Sequence, residues 1–154
     1  AADVHPKISV QNIVEEALRY PARKAVITGG EPLMHHLGGL TDALHQAGFA
    51  THIETSGAHP LSGQFDWITF SPKKFKKPLP EFYEVANELK IIVFHKSDFA
   101  WAETFAAQMR PGCRLLLQPE WGKQAEMMPL ITEYVKAHPQ WQVSLQTHKF
   151  MNIP

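Results

Sequence analysis

Two hydrophobic periods alternate along this chain, and that alternation restricts the fold more than any single motif does. Ile13, Val14, Ala17 and Leu18 form a helical stripe that Pro21 ends. Residues 24–28 are a short apolar run feeding Gly29-Gly30, which reads as a buried strand. Leu33, Leu37, Leu40, Leu44 and Ala47 return at helical spacing, with Gly48 where a left-handed C-cap belongs. Strands are then expected over 51–55, closed by the turn Ser56-Gly57, and over 65–70. A short helix over 81–87 follows the Pro78/Pro80 segment, and a fourth strand runs over 89–94. The run Ile91-Ile92-Val93 is typical of a strand covered on both faces. Phe99, Ala102, Phe105, Ala106 and Met109 mark another helix, broken by Pro111-Gly112. The fifth strand covers 113–118. Met127, Met128, Ile131, Tyr134 and Val135 give the last stripe, and a sixth strand at 141–146 leads into a short tail.

Strands alternating with helices imply parallel pairing through right-handed crossovers. The fold class is therefore α/β with a parallel sheet, either an open doubly wound sheet or a partial (β/α) barrel; periodicity does not separate the two. With 154 residues and no repeat, low-complexity stretch or linker, residues 1–154 are expected to form a single domain. In either architecture ligands bind beyond the carboxyl ends of the strands.

Composition narrows the function classes. Lys plus Arg and Asp plus Glu are 15 each, so no global field draws the chain to nucleic acid or to an anionic membrane. No apolar run approaches the ~20 residues needed to cross a bilayer. The start, Ala1-Ala2-Asp3-Val4-His5-Pro6, lacks a signal-peptide pattern, and a cytoplasmic location is the default. A lone cysteine, Cys113, excludes an internal disulfide and leaves no thiolate cluster for zinc or iron–sulfur binding. It reads as an apolar filler.

The strand ends, taken in order, are Thr28-Gly29-Gly30-Glu31-Pro32, Glu54-Thr55-Ser56-Gly57, Ser71-Pro72-Lys73, Gln118-Pro119-Glu120-Trp121 and Gln146-Thr147-His148-Lys149. Small, polar and charged residues recur at one structural station. Gly29 and Gly30 remove side chains where a ligand can approach the backbone, Glu31 adds a carboxylate there, and Pro32 suits a first helical position. The plain alternative is a tight strand–helix turn.

Thr-Gly-Gly-Glu-Pro at 28–32 resembles the Gly-Gly-Glu motif of radical S-adenosylmethionine (SAM) enzymes. Together with Ser71-Pro72-Lys73, Gln118-Pro119-Glu120-Trp121 and the tail 146–154, it is similar to the 7-carboxy-7-deazaguanine synthase branch. That resemblance, from about Ile8 to the end, implies a partial radical SAM barrel. The implied lyase opens SAM reductively at a [4Fe-4S] cluster and contracts the ring of 6-carboxy-5,6,7,8-tetrahydropterin with Mg2+ assistance. Ammonia is lost, and 7-carboxy-7-deazaguanine serves queuosine and related 7-deazapurine biosynthesis.

By the same resemblance, Gly29, Gly30 and Glu31 meet the aminomethionyl part of SAM. Ser71, Pro72, Lys73, Gln118, Pro119, Glu120 and Trp121 line the rest of its pocket. Thr28, His148 and the carboxylate of Pro154 meet the pterin. Physics allows each role. Lys73 is a point charge for a carboxylate, Trp121 an aromatic wall, and a terminal carboxylate a two-oxygen acceptor for a guanidine-like edge. Ordinary packing of Trp121 and fraying of the terminus are the alternatives.

The resemblance departs at the cluster. The family needs three closely spaced cysteines in an N-terminal loop, and the only cysteine here lies elsewhere. The expectation is a chain that begins after the first strand and cluster loop, makes no radicals as it stands, and exposes an edge beside 25–28 that a partner covers or that is poorly ordered. A homodimer and an electron donor such as flavodoxin are implied as partners; direct contact with nucleic acid or membrane is not. Nine histidines lack metal-site spacing, with His35 and His36 expected adjacent on a helix. Lys73-Lys74-Phe75-Lys76-Lys77 reads as a solvated rim that attracts anionic cofactors rather than as an RNA contact. Rival functions are a glycyl-radical activase, which shares Gly-Gly-Glu-Pro, and a cluster-free binding module.

Overall fold

The computed structural model describes residues 7–153. Six strands, β1 (Lys24–Ile27), β2 (Ala50–Thr55), β3 (Trp67–Phe70), β4 (Glu88–Val93), β5 (Arg114–Pro119) and β6 (Trp141–Val143), form one sheet. Every neighbouring pair is parallel, and the spatial order is the chain order. A doubly wound sheet reverses its strand order at a switch point. This one never reverses, so its crossovers all fall on one side, as in a barrel left incomplete. That settles the choice which periodicity left open.

The helices are α1 (Val10–Leu18), α2 (Gly38–Gln46), α3 (Glu81–Val85), α4 (Asp98–Ala106), α5 (Gln124–Ala137) and α6 (Thr147–Phe150). Strand burial alternates: in β4, Leu89, Ile91 and Val93 are fully buried, and Glu88, Lys90 and Ile92 between them are not. The strict period of two puts one row under the helices and the other on the concave face. Covering on both faces, expected from Ile91-Ile92-Val93, is therefore not what forms; Ile92 borders a cleft instead. On the helix side Ile53, Phe70, Phe82, Leu89, Leu117, Ile131 and Trp141 share one core cluster. Removing such a side chain from water contributes about 1.5–3 kcal/mol each.

Two further expectations change. Residues 33–47 do not form one helix. A 3-10 turn spans Pro32–Met34, and His35 is extended (φ −113, ψ 150) before α2 starts. The Ser62 hydroxyl accepts from the Leu37 N–H at 3.1 Å and donates to the His35 carbonyl at 3.2 Å. That tertiary clamp occupies backbone groups that a continuous helix would need for its own bonds. His35 and His36 thus lie between elements. The α1 stripe forms, capped by Ser9, whose hydroxyl accepts from the Asn12 N–H at 3.1 Å, but α1 buries none of its residues. Strand β1 is the sheet edge, with Val26 53% exposed. Gly48 takes the left-handed conformation expected of it (φ +83), and Pro32 opens the 3-10 turn.

The far side of the sheet is tied down by one carboxylate. Glu103 Oε1 accepts from the Tyr134 hydroxyl at 2.6 Å and from Trp141 Nε1 at 2.8 Å, joining α4, α5 and β6. Glu103→Leu leaves both donors without an acceptor. It is expected to lower stability by about 2 kcal/mol, read from the urea midpoint. Burial, followed by the Glu103 hydrogen bond and charge, pushes the Tyr134 pKa up to about 12 from 10.0. The folded state then holds its phenolic proton where the unfolded chain releases it. Stability from this group is whole below pH 10 and is lost as pH rises toward about 12.

Candidate functional site

The carboxyl ends of the strands surround a cleft of about 510 Å³. At the end of β1, Thr28, Gly29 and Gly30 border it. Gly29 has φ +136, in the region that favours glycine, and a side chain at Gly30 would meet nothing within 4 Å. The backbone here is open to a ligand. Glu31 is not. Its Oε1 accepts from the Leu33 N–H at 3.3 Å and the Thr55 hydroxyl at 2.6 Å. Its Oε2 accepts from the Ser56 N–H at 2.9 Å and from the Ser56 hydroxyl. Burial alone raises a carboxyl pKa, but these hydrogen bonds outweigh it and hold the group below its ordinary value. Glu31 buckles the glycine loop to the end of β2, and lies outside the lining of the cleft.

Opposite stand Ser71 and Lys73, beyond β3. Lys73 is half-buried and makes no salt bridge among the described residues. Burial, then the charge of Lys90, pushes its pKa down, while Glu54 and Glu31 partly restore it. The floor comes from residues of the concave row of β2 and β4. Lys90 Nζ lies 2.7 Å from Glu54 Oε2, with the lysine side chain 12% and the glutamate side chain 41% exposed. Glu88, which accepts from the Thr69 hydroxyl at 3.2 Å, also borders the cleft.

Gln118, Glu120 and Trp121 form the next wall, and Ser144 to Lys149 the last. The Gln118 side-chain oxygen accepts from the Ser144 hydroxyl at 3.1 Å, which joins those two walls. Trp121 takes Phe150 edge-on at 5.2 Å and the Lys149 ammonium over its ring at 5.1 Å. Both readings of Trp121 therefore hold: it borders the cleft and packs the tail. That packing seats α6, so His148 reaches the cleft. The chain reverses at Asn152 (φ 50), and the Ile153 N–H returns to the His148 carbonyl at 2.9 Å. Pro154, the expected carboxylate contact, lies outside the described residues.

Nine of the site residues expected from sequence thus line one cleft: Thr28, Gly29, Gly30, Ser71, Lys73, Gln118, Glu120, Trp121 and His148. Pro72 instead lines a neighbouring groove with Phe75 and Phe94, and Pro119 lies inside β5, paired with Val93. Glu88 and Lys90 went unnoticed in the sequence, and Glu54 was read there only as one of the strand-end residues, with no role of its own. Their signal was there, as charged residues alternating with apolar ones in 52–55 and 88–91. Cys113 sits before β5, away from the cleft beyond its other end, and burial raises its thiol pKa. Among the described residues no group of three His, Cys, Asp or Glu converges as a metal site, and no helix is long and apolar enough to cross a membrane.

A parallel sheet wound in one direction, with a polar cleft ringed by the loops at its strand ends, defines a partial (β/α) barrel built to hold a small polar molecule. No family model matches the sequence. The 7-carboxy-7-deazaguanine synthase of Flavobacterium psychrophilum is 49% identical over 153 residues, covering 99% of this chain and 72% of that protein. The enzyme of the same name from Synechocystis is 48% identical, covering 97% and 71%. In three dimensions the chain is similar to the crystal structure of QueE from Escherichia coli, with a TM-score of 0.80 and 33% identity over 90% of this chain and 64% of that one. The chain belongs to the 7-carboxy-7-deazaguanine synthase family.

Proposed function

We propose that this chain forms the SAM- and pterin-binding part of a 7-carboxy-7-deazaguanine synthase, a radical SAM lyase acting on 6-carboxy-5,6,7,8-tetrahydropterin. The observation that carries the reading is the convergence of five strand-end loops on one cleft, together with the family relationship. In this reading the Gly29-Gly30 backbone takes the aminomethionyl group of SAM, and the Lys73 ammonium meets its carboxylate. Ser71 supplies a hydroxyl that donates or accepts. Gln118, Glu120 and Trp121 hold the adenosyl end, with the indole as a flat wall. Thr28 and His148 face the pterin, with Pro154 as a further contact. The Lys90–Glu54 pair puts fixed charge under both ligands.

A [4Fe-4S] cluster and Mg2+ belong to the family reading, but the described residues do not fit either. The lone thiol precedes β5, at the end of the strand away from the cleft, and among the described residues no three acid, imidazole or thiol groups converge. What these residues do is bind, orient and exclude water. A homodimer, an electron donor such as flavodoxin and a cytoplasmic setting are parts of the same proposal.

Lys73→Met tests it. SAM affinity, read by titration calorimetry, is expected to fall roughly tenfold or more, as for loss of one charge-assisted contact. His148→Ala is expected to weaken the pterin and leave SAM unchanged. A wild-type chain that binds neither molecule, or a Lys73→Met variant that binds SAM as tightly as wild type, defeats the reading.

A further inference from the structure

The loop that carries Lys73 has few ties to the rest of the protein. Its ladder ends where the Ser71 N–H donates to the Thr55 carbonyl at 2.8 Å. The next backbone anchor is the Leu79 N–H, donating to the Gly57 carbonyl at 2.8 Å. Between them the loop bonds to itself, with the Lys76 N–H on the Lys73 carbonyl at 3.2 Å. Among the described residues, a single hydrogen-bonded tie from 72–78 reaches another element: the Lys74 ammonium on Asp98 Oδ1.

Asp98 is built for that contact. Its side chain is 1% exposed, while that of Lys74 is 54% exposed. Asp98 Oδ2 accepts from the Phe94 N–H at 2.8 Å and the His95 N–H at 3.1 Å, which closes the turn between β4 and α4. The carboxylate is thus fixed in place before Lys74 arrives. A buried anion of this kind persists only when it is paired and hydrogen-bonded. The Lys74 ammonium also lies 5.8 Å from the centre of the Trp101 ring, which narrows its range further. Lys73 and Lys76 form an isolated antiparallel bridge that closes a tight turn with Lys74 and Phe75 at its corner. Lys73 stands at the base of that turn, next to the anchored Lys74, and lines both the cleft and the groove that holds Asp98, so the grip on Lys74 sets where its neighbour sits.

We propose that Asp98 is a positioning residue for the ligand cleft: by gripping Lys74 it fixes the loop so that Lys73 presents its ammonium to the bound ligand. The proposal rests on the reading that Lys73 meets the SAM carboxylate. It makes a prediction opposite to simple electrostatics. Deleting the negative charge of Asp98 makes the neighbourhood more positive, which by Coulomb's law alone favours an anionic group. Loss of the latch disfavours it.

The test uses the full chain and SAM itself, with Asp98→Asn, Lys74→Met, the double variant and Lys74→Arg. Asp98→Asn is expected to raise the SAM Kd roughly tenfold, and the double variant is expected to be no worse than the worse single, as for two halves of one contact. Lys74→Arg, which keeps the cation, is expected to bind close to wild type, and affinity for the pterin is expected to be unchanged throughout. Amide exchange in 72–78 is expected to speed up in Asp98→Asn and Lys74→Met but not in β4 or α4. Should Asp98→Asn fail to fold, Lys74→Met leaves the backbone bonds of Asp98 intact and gives the same readouts. Unchanged or tighter SAM binding by Asp98→Asn overturns the proposal, as does unchanged exchange in the loop. If the wild type does not bind SAM at all, the functional reading fails, and the exchange comparison still decides on the latch by itself.

Discussion

Gly57→Ala is expected to lower the free energy of unfolding by about 3 kcal/mol, the sum of a left-handed backbone cost of about 1–2 kcal/mol and an overpacking cost of about 1–3 kcal/mol. Gly57 has φ +72, and an added Cβ would sit 2.8 Å from one edge carbon of the Phe70 ring and 3.0 Å from the Phe82 ring. Neither ring has room to yield. Phe70 and Phe82 are fully buried and stacked with centroids 5.8 Å apart, and Phe105 and Tyr83 close the other sides of Phe70. For a domain whose whole stability is on the order of 5–15 kcal/mol, such a loss is severe. Gly48→Ala is the internal control. Its φ is +83, but the added Cβ meets nothing within 4 Å, so only the backbone cost of about 1–2 kcal/mol should appear. Urea midpoints of the two variants measure the difference. Equal shifts at the two positions would mean that the aromatic cluster gives way, contrary to the packing described.

The second large effect is expected at Glu31. Glu31→Gln replaces an acceptor of four hydrogen bonds with an amide whose N–H2 faces the Ser56 N–H or the Thr55 hydroxyl, donor against donor. The expected loss is about 2–3 kcal/mol of stability, with SAM affinity falling roughly tenfold because the Gly29-Gly30 backbone is no longer buckled to β2. The pH dependence follows from the lowered pKa of the group. Its folded value lies below the ordinary 4.5, so its contribution is complete above 4.5 and drains away as pH falls through the folded value. Wild type and Glu31→Gln should therefore differ most at neutral pH and converge in acid. Chemical denaturation at a series of pH values reads this directly, and a gap that widens toward acid would contradict the assignment.

Much of this arrangement was legible because turn chemistry and hydrophobic period are local signals. Gly29-Gly30, Ser56-Gly57 and Pro111-Gly112 punctuate the chain where strands stop or helices break, so the stations around the cleft could be read in order. The 3-10 turn at Pro32–Met34 was hidden because Leu33 falls on the helical stripe of α2, and the interruption is made by Ser62, distant in sequence. The floor was hidden for another reason. Glu88 opens β4 and Lys90 lies two residues further along it, where a charge reads as an ordinary exposed position unless the curvature of the sheet is known. Glu54 was legible only as one of the polar residues at the end of β2. Glu31 was legible as a residue of the loop, while its partners Thr55 and Ser56 come from the next strand's end. Its commitment to them was not readable from a motif.

The strict alternation along β2 and β4 has a consequence for how such a chain changes over evolutionary time. Adjacent residues on one strand answer to separate masters: Ile53 and Ile91 to the hydrocarbon interior, Glu54 and Lys90 to whatever molecule rests in the bowl. Selection for a new ligand can thus rewrite every second letter of a strand while the intervening letters keep the scaffold upright. Substitutions accumulating on the hollow side should leave melting behaviour nearly untouched, and those on the convex side should leave recognition untouched until the whole structure gives way.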